Sequence, residues 1–476
     1  MNRRSFLGAG IGAGFAAPLL AQRTRRPNII WYMPDQWRGQ ALGSMGDPNA
    51  VTPNLDRMAK NGLQFTNTIA NSPVCCPARA ILQTGQYVHR NGMTANDLRL
   101  RESHTTMAKV LNAAGYKTAF IGKWHLDGGP RMPGFIPPGP RRQGFQYWAA
   151  NSCSHDHFKA TYFRDDPTPR PMGKYEAEGW TDLAIEFLDS HKNSNQPFFL
   201  MVAPGPPHDP YGAPAEYEKR FDPAKLQLPP NYQGGAPRVP GRSAIAKYYA
   251  ACTAIDDQMG RLLRELEQRN LAEDTATIFF SDHGDMLGSH GLRLKRKPHE
   301  ESIRVPGIVH YPRAIKQGRV EKGLFSHVDL PATTLGLCGV KTPASFQGRD
   351  LSSTVLGRKQ GTQPDVLCQI FGPYQGDGTE AGWRGLRTDR YMYARYEDKP
   401  YVLFDLEKDP HQLENLAGKG TQIEKEFEKR LAARMKEVGD SWKFNWTALV
   451  EDAGRLYKTK TYYSVDEYLR ENPSGG

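Results

Sequence analysis

The 476-residue chain lacks several features that would set it apart from ordinary globular proteins. It has no internal repeat and no low-complexity tract, which excludes solenoid, collagen-like and wholly disordered architectures. Cysteine is scarce: Cys75, Cys76, Cys153, Cys252, Cys338 and Cys368 are scattered without the spacing of a disulfide framework. A chain of this length buries enough apolar surface to need no such staples. Adjacent Cys75 and Cys76 could hardly bridge each other without strain, so at least one of them serves another purpose. Charge of one sign is not dominant either. The net charge of +11 is mild, and the densest basic cluster, Arg293, Lys295, Arg296 and Lys297, has no finger motif or aromatic repeat beside it. That balance argues against nucleic acid as a partner and for a pocket that takes a small anion.

A long hydrophobic run is also missing. The N-terminal apolar stretch is Gly/Ala-rich and too short for a membrane span. It follows Arg3 and Arg4, then Ser5-Phe6-Leu7, and ends at Ala21. Residues 1–21 read as a twin-arginine export signal, handled by the twin-arginine translocation machinery and then removed. The mature protein is expected to be periplasmic or extracellular, with no stable membrane span.

What is present is an alternation of strands and helices. Asn28 to Met33 is an apolar run that stops at Pro34-Asp35-Gln36. Tyr116 to Ile121 leads to Gly122-Lys123-Trp124-His125, Pro197 to Ala203 to Pro207-His208, and Thr275 to Phe280 to Ser281-Asp282-His283. Between them lie helical patterns, the clearest over Ser243 to Asn270, with Thr106 to Ala114, Thr181 to His191 and Asp329 to Leu337 shorter. This alternation predicts an α/β fold with a mainly parallel sheet sandwiched by helices, whose ligands bind at the carboxyl ends of the strands. A main unit is expected over 22–345. Residues 346–476 are expected to form a smaller α+β subdomain and tail. In it Arg384 to Tyr393 and Tyr401 to Leu406 read as antiparallel strands, and Gln422 to Val438 as an amphipathic helix.

The segment Cys75-Cys76-Pro77-Ala78-Arg79, followed by Thr84-Gly85, resembles the signature of the type I sulfatases of the alkaline phosphatase superfamily. Gly115 to His125 resembles that family's second signature. Asp35-Gln36, Pro207-His208, Ser281 to Asp285, and Lys295 ahead of Glu300 to Pro306 fall where the family places its site residues. The similarity runs over about residues 27 to 415. Departures are Ala78 where Ser is common, Gln83 and Gln86 where apolar and basic residues are usual, Gln36 where a second Asp is usual, and His283 where Asn is usual.

The resemblance implies an alkaline-phosphatase-like fold and a sulfuric ester hydrolase. Cys75 would be oxidised by a formylglycine-generating enzyme to formylglycine, whose hydrate is a geminal diol. One hydroxyl attacks sulfur, and loss of a proton from the other then expels sulfate, which an ordinary serine could not do. One divalent cation, most commonly calcium, would be held by Asp35, Gln36, Asp282, His283 and the residue at 75. Arg79 would orient the nucleophile, and Lys123 and Lys295 would grip the sulfate oxygens. His125 would take the diol proton, and His208 would protonate the leaving alcohol. The expected substrate is a sulfated carbohydrate, with small aryl sulfates second. A phosphonate monoester or phosphodiester hydrolase is the alternative, and a glycan-binding protein with Cys75 unmodified the more distant one. Trp148, Asn151, His155, His157, Asp209 and Tyr211 are read as loop residues near a pocket, without assigned roles.

Overall fold

The computed structural model describes residues 26–128, 132–358, 363–372 and 381–442. Residues 1–21, read from sequence as an export signal, and the residues beyond Trp442 lie outside the described residues.

The strands, in chain order, are β1 (Asn28–Tyr32), β2 (Leu63–Ile69), β3 (Lys117–Lys123), β4 (Tyr147–Asn151), a minor ribbon of β5 (Thr161–Tyr162) and β6 (Arg170–Pro171), β7 (Phe198–Ala203), β8 (Thr275–Phe280), β9 (Arg304–Val305), β10 (Gly307–His310) and β11 (Arg319–Ser326). Apart from the ribbon they form one sheet, ordered β11-β2-β10-β8-β1-β7-β3-β4, with β9 paired to β2. β1 is central and parallel to both neighbours, with Ile29 opposite Phe199 and Tyr32 opposite Phe279. β10 runs against β8 and β2, and β9 against β2. The sheet is therefore mainly parallel, as expected.

Alternation along β1 shows why it is buried on both faces. Ile29, Trp31 and Met33 join Ala80, Leu82, Met107, Leu111 and Leu335 on one side. Ile30 and Tyr32 join Trp180, Phe187, Tyr248 and Ile255 on the other. The helices Cys75–Thr84, Met107–Ala113 and Asp329–Leu337 thus cover one face, and Glu176–His191 and Arg242–Gln268 the opposite one. At roughly 1.5–3 kcal/mol for each large apolar side chain fully buried, these two layers dominate the stabilisation of the fold.

A second sheet of β12 (Val366–Ile370), β13 (Trp383–Arg387), β14 (Tyr391–Arg395) and β15 (Pro400–Asp405) is antiparallel throughout. The helix Gln422–Val438 covers one face of it through Phe427, Leu431 and Met435. The other face sets Val366, Cys368, Met392 and Phe404 against Ile69, Val74 and Ile303 of the large unit. The stretch Arg384 to Tyr393, read from sequence as strand, is a hairpin: Thr388-Asp389-Arg390 turns the chain, and Thr388 N donates to Tyr391 O at 2.8 Å. Trp148 and Asn151 lie on β4 and not on a loop.

Candidate active site

Parallel strands bring their carboxyl ends to one edge, and there the side chains of β1, β3, β7 and β8 converge. Past β1, Asp35 N still bonds Pro204 O at 3.1 Å. Gln36 then turns into the left-handed region at φ 70, a conformation costing about 1–2 kcal/mol for a residue with a Cβ. Ser281, after β8, ties the two ends together: its hydroxyl donates to Pro34 O at 2.7 Å and accepts from Trp37 N at 2.8 Å. On β3, Gly122 has φ 117, and a Cβ there would lie 2.2 Å from Ala203 O, so only glycine lets β3 approach β7 just before Lys123. Cys75 sits in the first turn of its own helix, Cys75–Thr84. Proline is tolerated in that turn because its missing N–H would be unpaired anyway.

The cluster is almost fully buried. Cys75 Sγ lies 3.2 Å from His283 Nε2 and 3.9 Å from Asp35 Oδ1. His283 Nε2 is 3.4 Å from Asp35 Oδ1 and 3.7 Å from Asp282 Oδ1. His283 Nδ1 donates to Gly284 O at 3.0 Å, which turns its Nε2 toward these groups. Ligand atoms of Asp35, Cys75, Asp282 and His283 all lie within 4.8 Å of one another. Sulfur, imidazole nitrogen and two carboxylates aimed at one point suit a divalent cation, and carboxylate oxygens suit a hard one.

Positive side chains surround this focus. Arg79 Nε donates to Asp282 Oδ2 at 3.1 Å and Nη2 to Asp35 Oδ2 at 3.3 Å, while Nη1 caps Lys123 O. Lys123 Nζ donates to Asp35 Oδ2 at 2.6 Å and to His155 Nε2 at 3.1 Å. Lys295 Nζ donates to Gln36 Oε1 and to His208 Nε2, both at 2.7 Å. Gln36 Nε2 donates to Asp285 Oδ2 at 2.8 Å and Asp209 Oδ1 at 3.3 Å. The amide oxygen of Gln36 is thus committed to Lys295, and Gln36 stands beside the four clustered ligand residues. His125 Nε2 is 2.9 Å from Asp97 Oδ1, and its buried Nδ1 carries no hydrogen bond.

Burial and the neighbouring Cys75 push the Asp35 carboxyl up, but the Lys123 ammonium leads the groups that hold it well below the usual range. Asp282 is raised, by burial first and then by the Asp35 charge beside it. Burial disfavours a Cys75 thiolate, yet Lys295, Lys123 and His283 together draw the thiol well below its ordinary value.

All ten residues singled out from the sequence therefore share one edge of the sheet. His155, Asp97 and Asp285 belong beside them and were not assigned from sequence. Asp285 lay within a quoted motif, His155 was one of several equivalent loop residues, and nothing local marks Asp97.

Comparison with known proteins identifies the family of the chain. The family model described as Sulfatase matches residues 27–340. One described as N-sulphoglucosamine sulphohydrolase, C-terminal, matches residues 288–440. The chain is 38% identical over 427 residues to an ulvan-active sulfatase of Formosa agariphila, covering 88% of this chain and 83% of that protein. It is 29% identical to an endo-4-O-sulfatase of Bacteroides thetaiotaomicron, covering 89% and 94%. Among solved structures, a putative sulfatase of Bacteroides fragilis superposes with TM-score 0.82 at 31% identity, covering 89% of this chain and 98% of that one. A protein solved with its substrate D-glucosamine-2-N,6-O-disulfate superposes with TM-score 0.78 at 25% identity, covering 88% and 99%.

Proposed function

Since the chain belongs to the sulfatase family of the alkaline phosphatase superfamily, we propose that this sulfatase hydrolyses sulfate esters of a carbohydrate, using Cys75 oxidised to formylglycine beside a bound calcium ion. The observation that carries the reading is the placement of Cys75 Sγ, 3.2 Å from His283 Nε2, in one cluster with the ligand atoms of Asp35, Asp282 and His283, with Lys123 bonded to Asp35. A carbohydrate substrate is supported by what the relatives act on: ulvan in one, and an amino-sugar disulfate in another.

Asp35, Asp282 and His283 would hold the cation, with the residue at 75, and Gln36 would border it. The ion supplies positive charge against the sulfate oxygens. Formylglycine supplies a hydrated aldehyde with two hydroxyls, one to form the bond to sulfur and one to release it. The chain's own residues set everything around these groups. Arg79, bonded to both Asp35 and Asp282, fixes the carboxylates in place. Lys123 and Lys295 each have one N–H beyond the two already bonded, and these are the donors offered to the sulfate. His125, held through Nε2 by Asp97, is the residue that would take a proton from the nucleophile. His208 reaches the leaving-group side with Lys295, which can return a proton to the departing alcohol.

The test is the tryptic peptide Asn61 to Arg79 from protein made in a host with a formylglycine-generating enzyme. Conversion replaces one sulfur and two hydrogens by one oxygen, and the converted fraction should track turnover of a sulfate ester. A free thiol in every molecule of active protein would refute the mechanism. Faster cleavage of a phosphonate monoester than of its sulfate counterpart would move the substrate class. Twin-arginine export carries folded proteins, so under this reading conversion of Cys75 would precede export, and replacing Arg3 and Arg4 by Lys should leave active enzyme in the cytoplasm; inactive protein there would contradict this order.

A further inference from the structure

His155 stands in the loop after β4 and was given no role by the motifs. Its ring lies flat on that of His208, with centroids 4.3 Å apart and planes 3° from parallel. Its Nε2 accepts from Lys123 Nζ at 3.1 Å, just as His208 Nε2 accepts from Lys295 Nζ at 2.7 Å. Each ammonium is therefore fixed by two acceptors, one imidazole and one residue from the end of β1: Asp35 for Lys123 and Gln36 for Lys295. An ammonium can donate only to an unprotonated ring nitrogen, so this arrangement requires each imidazole to turn an Nε2 lone pair to its lysine and keep its proton on Nδ1. For His208 that proton goes to Asp209 O, 2.6 Å from Nδ1. The four side chains form a continuous strut, lysine to imidazole, imidazole to imidazole, imidazole to lysine.

We propose that His155 is a positioning residue: stacked on His208, it spaces the Lys123 and Lys295 ammonium groups so that their remaining N–H donors grip opposite sides of the substrate's sulfate. The inference rests on the sulfatase reading and adds to it a residue that touches neither sulfate nor nucleophile. Two buried like charges repel and would drift to whichever counter-charge is nearest. A pair of close-packed rings between their acceptors resists compression, and the acceptors themselves set direction. Both properties matter, because a sulfate is gripped only if the donors stand at the separation of its oxygens.

Three variants of the full-length, converted enzyme separate the components. His155→Ala removes ring and acceptor, His155→Phe keeps a ring face without the acceptor, and His155→Gln keeps an acceptor without the ring. With inorganic sulfate as inhibitor and a sulfate ester as substrate, His155→Ala should raise the sulfate inhibition constant and lower kcat/KM, each on the order of 10- to 100-fold. Phe and Gln should each recover part of that loss. Nitrogen NMR of histidine-labelled wild-type protein should show both rings as neutral Nδ1–H tautomers. The proposal is overturned if His155→Ala changes the inhibition constant by less than about twofold, if only the melting temperature moves, or if His155 carries two protons in the resting enzyme. Wild-type protein that turns over no sulfate ester would count against the sulfatase reading instead, and the tautomers would still judge the strut.

Discussion

Two regions of this molecule bury charge, and they do so differently. In the small sheet, Arg384 on β13 pairs with Asp440, whose Oδ1 is 3.2 Å from Nη2. Arg384 also donates to Ile370 O at 2.9 Å and lies over the rings of Phe371 and Trp442. There one cation meets one anion. At the strand ends of the large sheet, two carboxylates, a thiol and an imidazole nitrogen crowd one point, and two lysines keep an N–H uncommitted. Burial of charge alone does not mark a functional site. The mark is polarity left facing a common focus after the internal partners have been counted.

That contrast can be broken in order of expected effect. Cys75→Ala should lower sulfate ester turnover by at least about 10³-fold, since groups acting as a unit are lost together. Its melting temperature should stay within a few degrees; a large fall in melting temperature would make Cys75 a structural thiol. Removing divalent ions with a chelator should abolish most turnover, and calcium should restore it. Recovery with another ion and not with calcium would correct the metal.

In the small sheet the pattern should invert. Asp440→Asn leaves Arg384 buried without its counter-charge, which costs about 3–5 kcal/mol. Denaturant unfolding should show that loss while kcat/KM at 25 °C stays within about twofold of wild type. A comparable loss of activity would mean that the two regions are coupled.

The smallest effect is a pH dependence. Burial pushes the Asp440 carboxyl up, but the Arg384 guanidinium holds it below the usual range; Arg387 does the same for Glu300. Folded-state values lower than the unfolded value of about 4 mean that the unfolded chain takes up protons first. Their contribution is complete above that value and fades as pH falls through the folded one. Melting temperature should therefore drop as pH is lowered below about 4, and Asp440→Asn should flatten the drop.

How far the sequence carried these conclusions depends on the element. β1, β7 and β8 were legible because strands buried on both faces are continuous apolar runs with polar residues where they stop. Arg242–Gln268 was legible from its apolar stripe. β2, β10 and β11 were not: β10 is four residues long, and β2 and β11 carry polar residues at half-buried positions. The hairpin at Thr388 was hidden because no glycine or proline marks its turn. Cys75, Lys123, His208 and Asp282 were legible as motif residues, whereas His155 and Asp97 were not, since each depends on a partner brought near only by packing.

The order of residues along the chain determined which strands end in acid, lysine or histidine, and which helix opens on Cys75, because those are properties of short segments. Only the folded sheet decided that Asp35, Lys123, His208 and Lys295 would face one another, and that His155 would lie against His208. Such encounters depend on strand order and on close packing between residues far apart in the chain, and no local pattern encodes them.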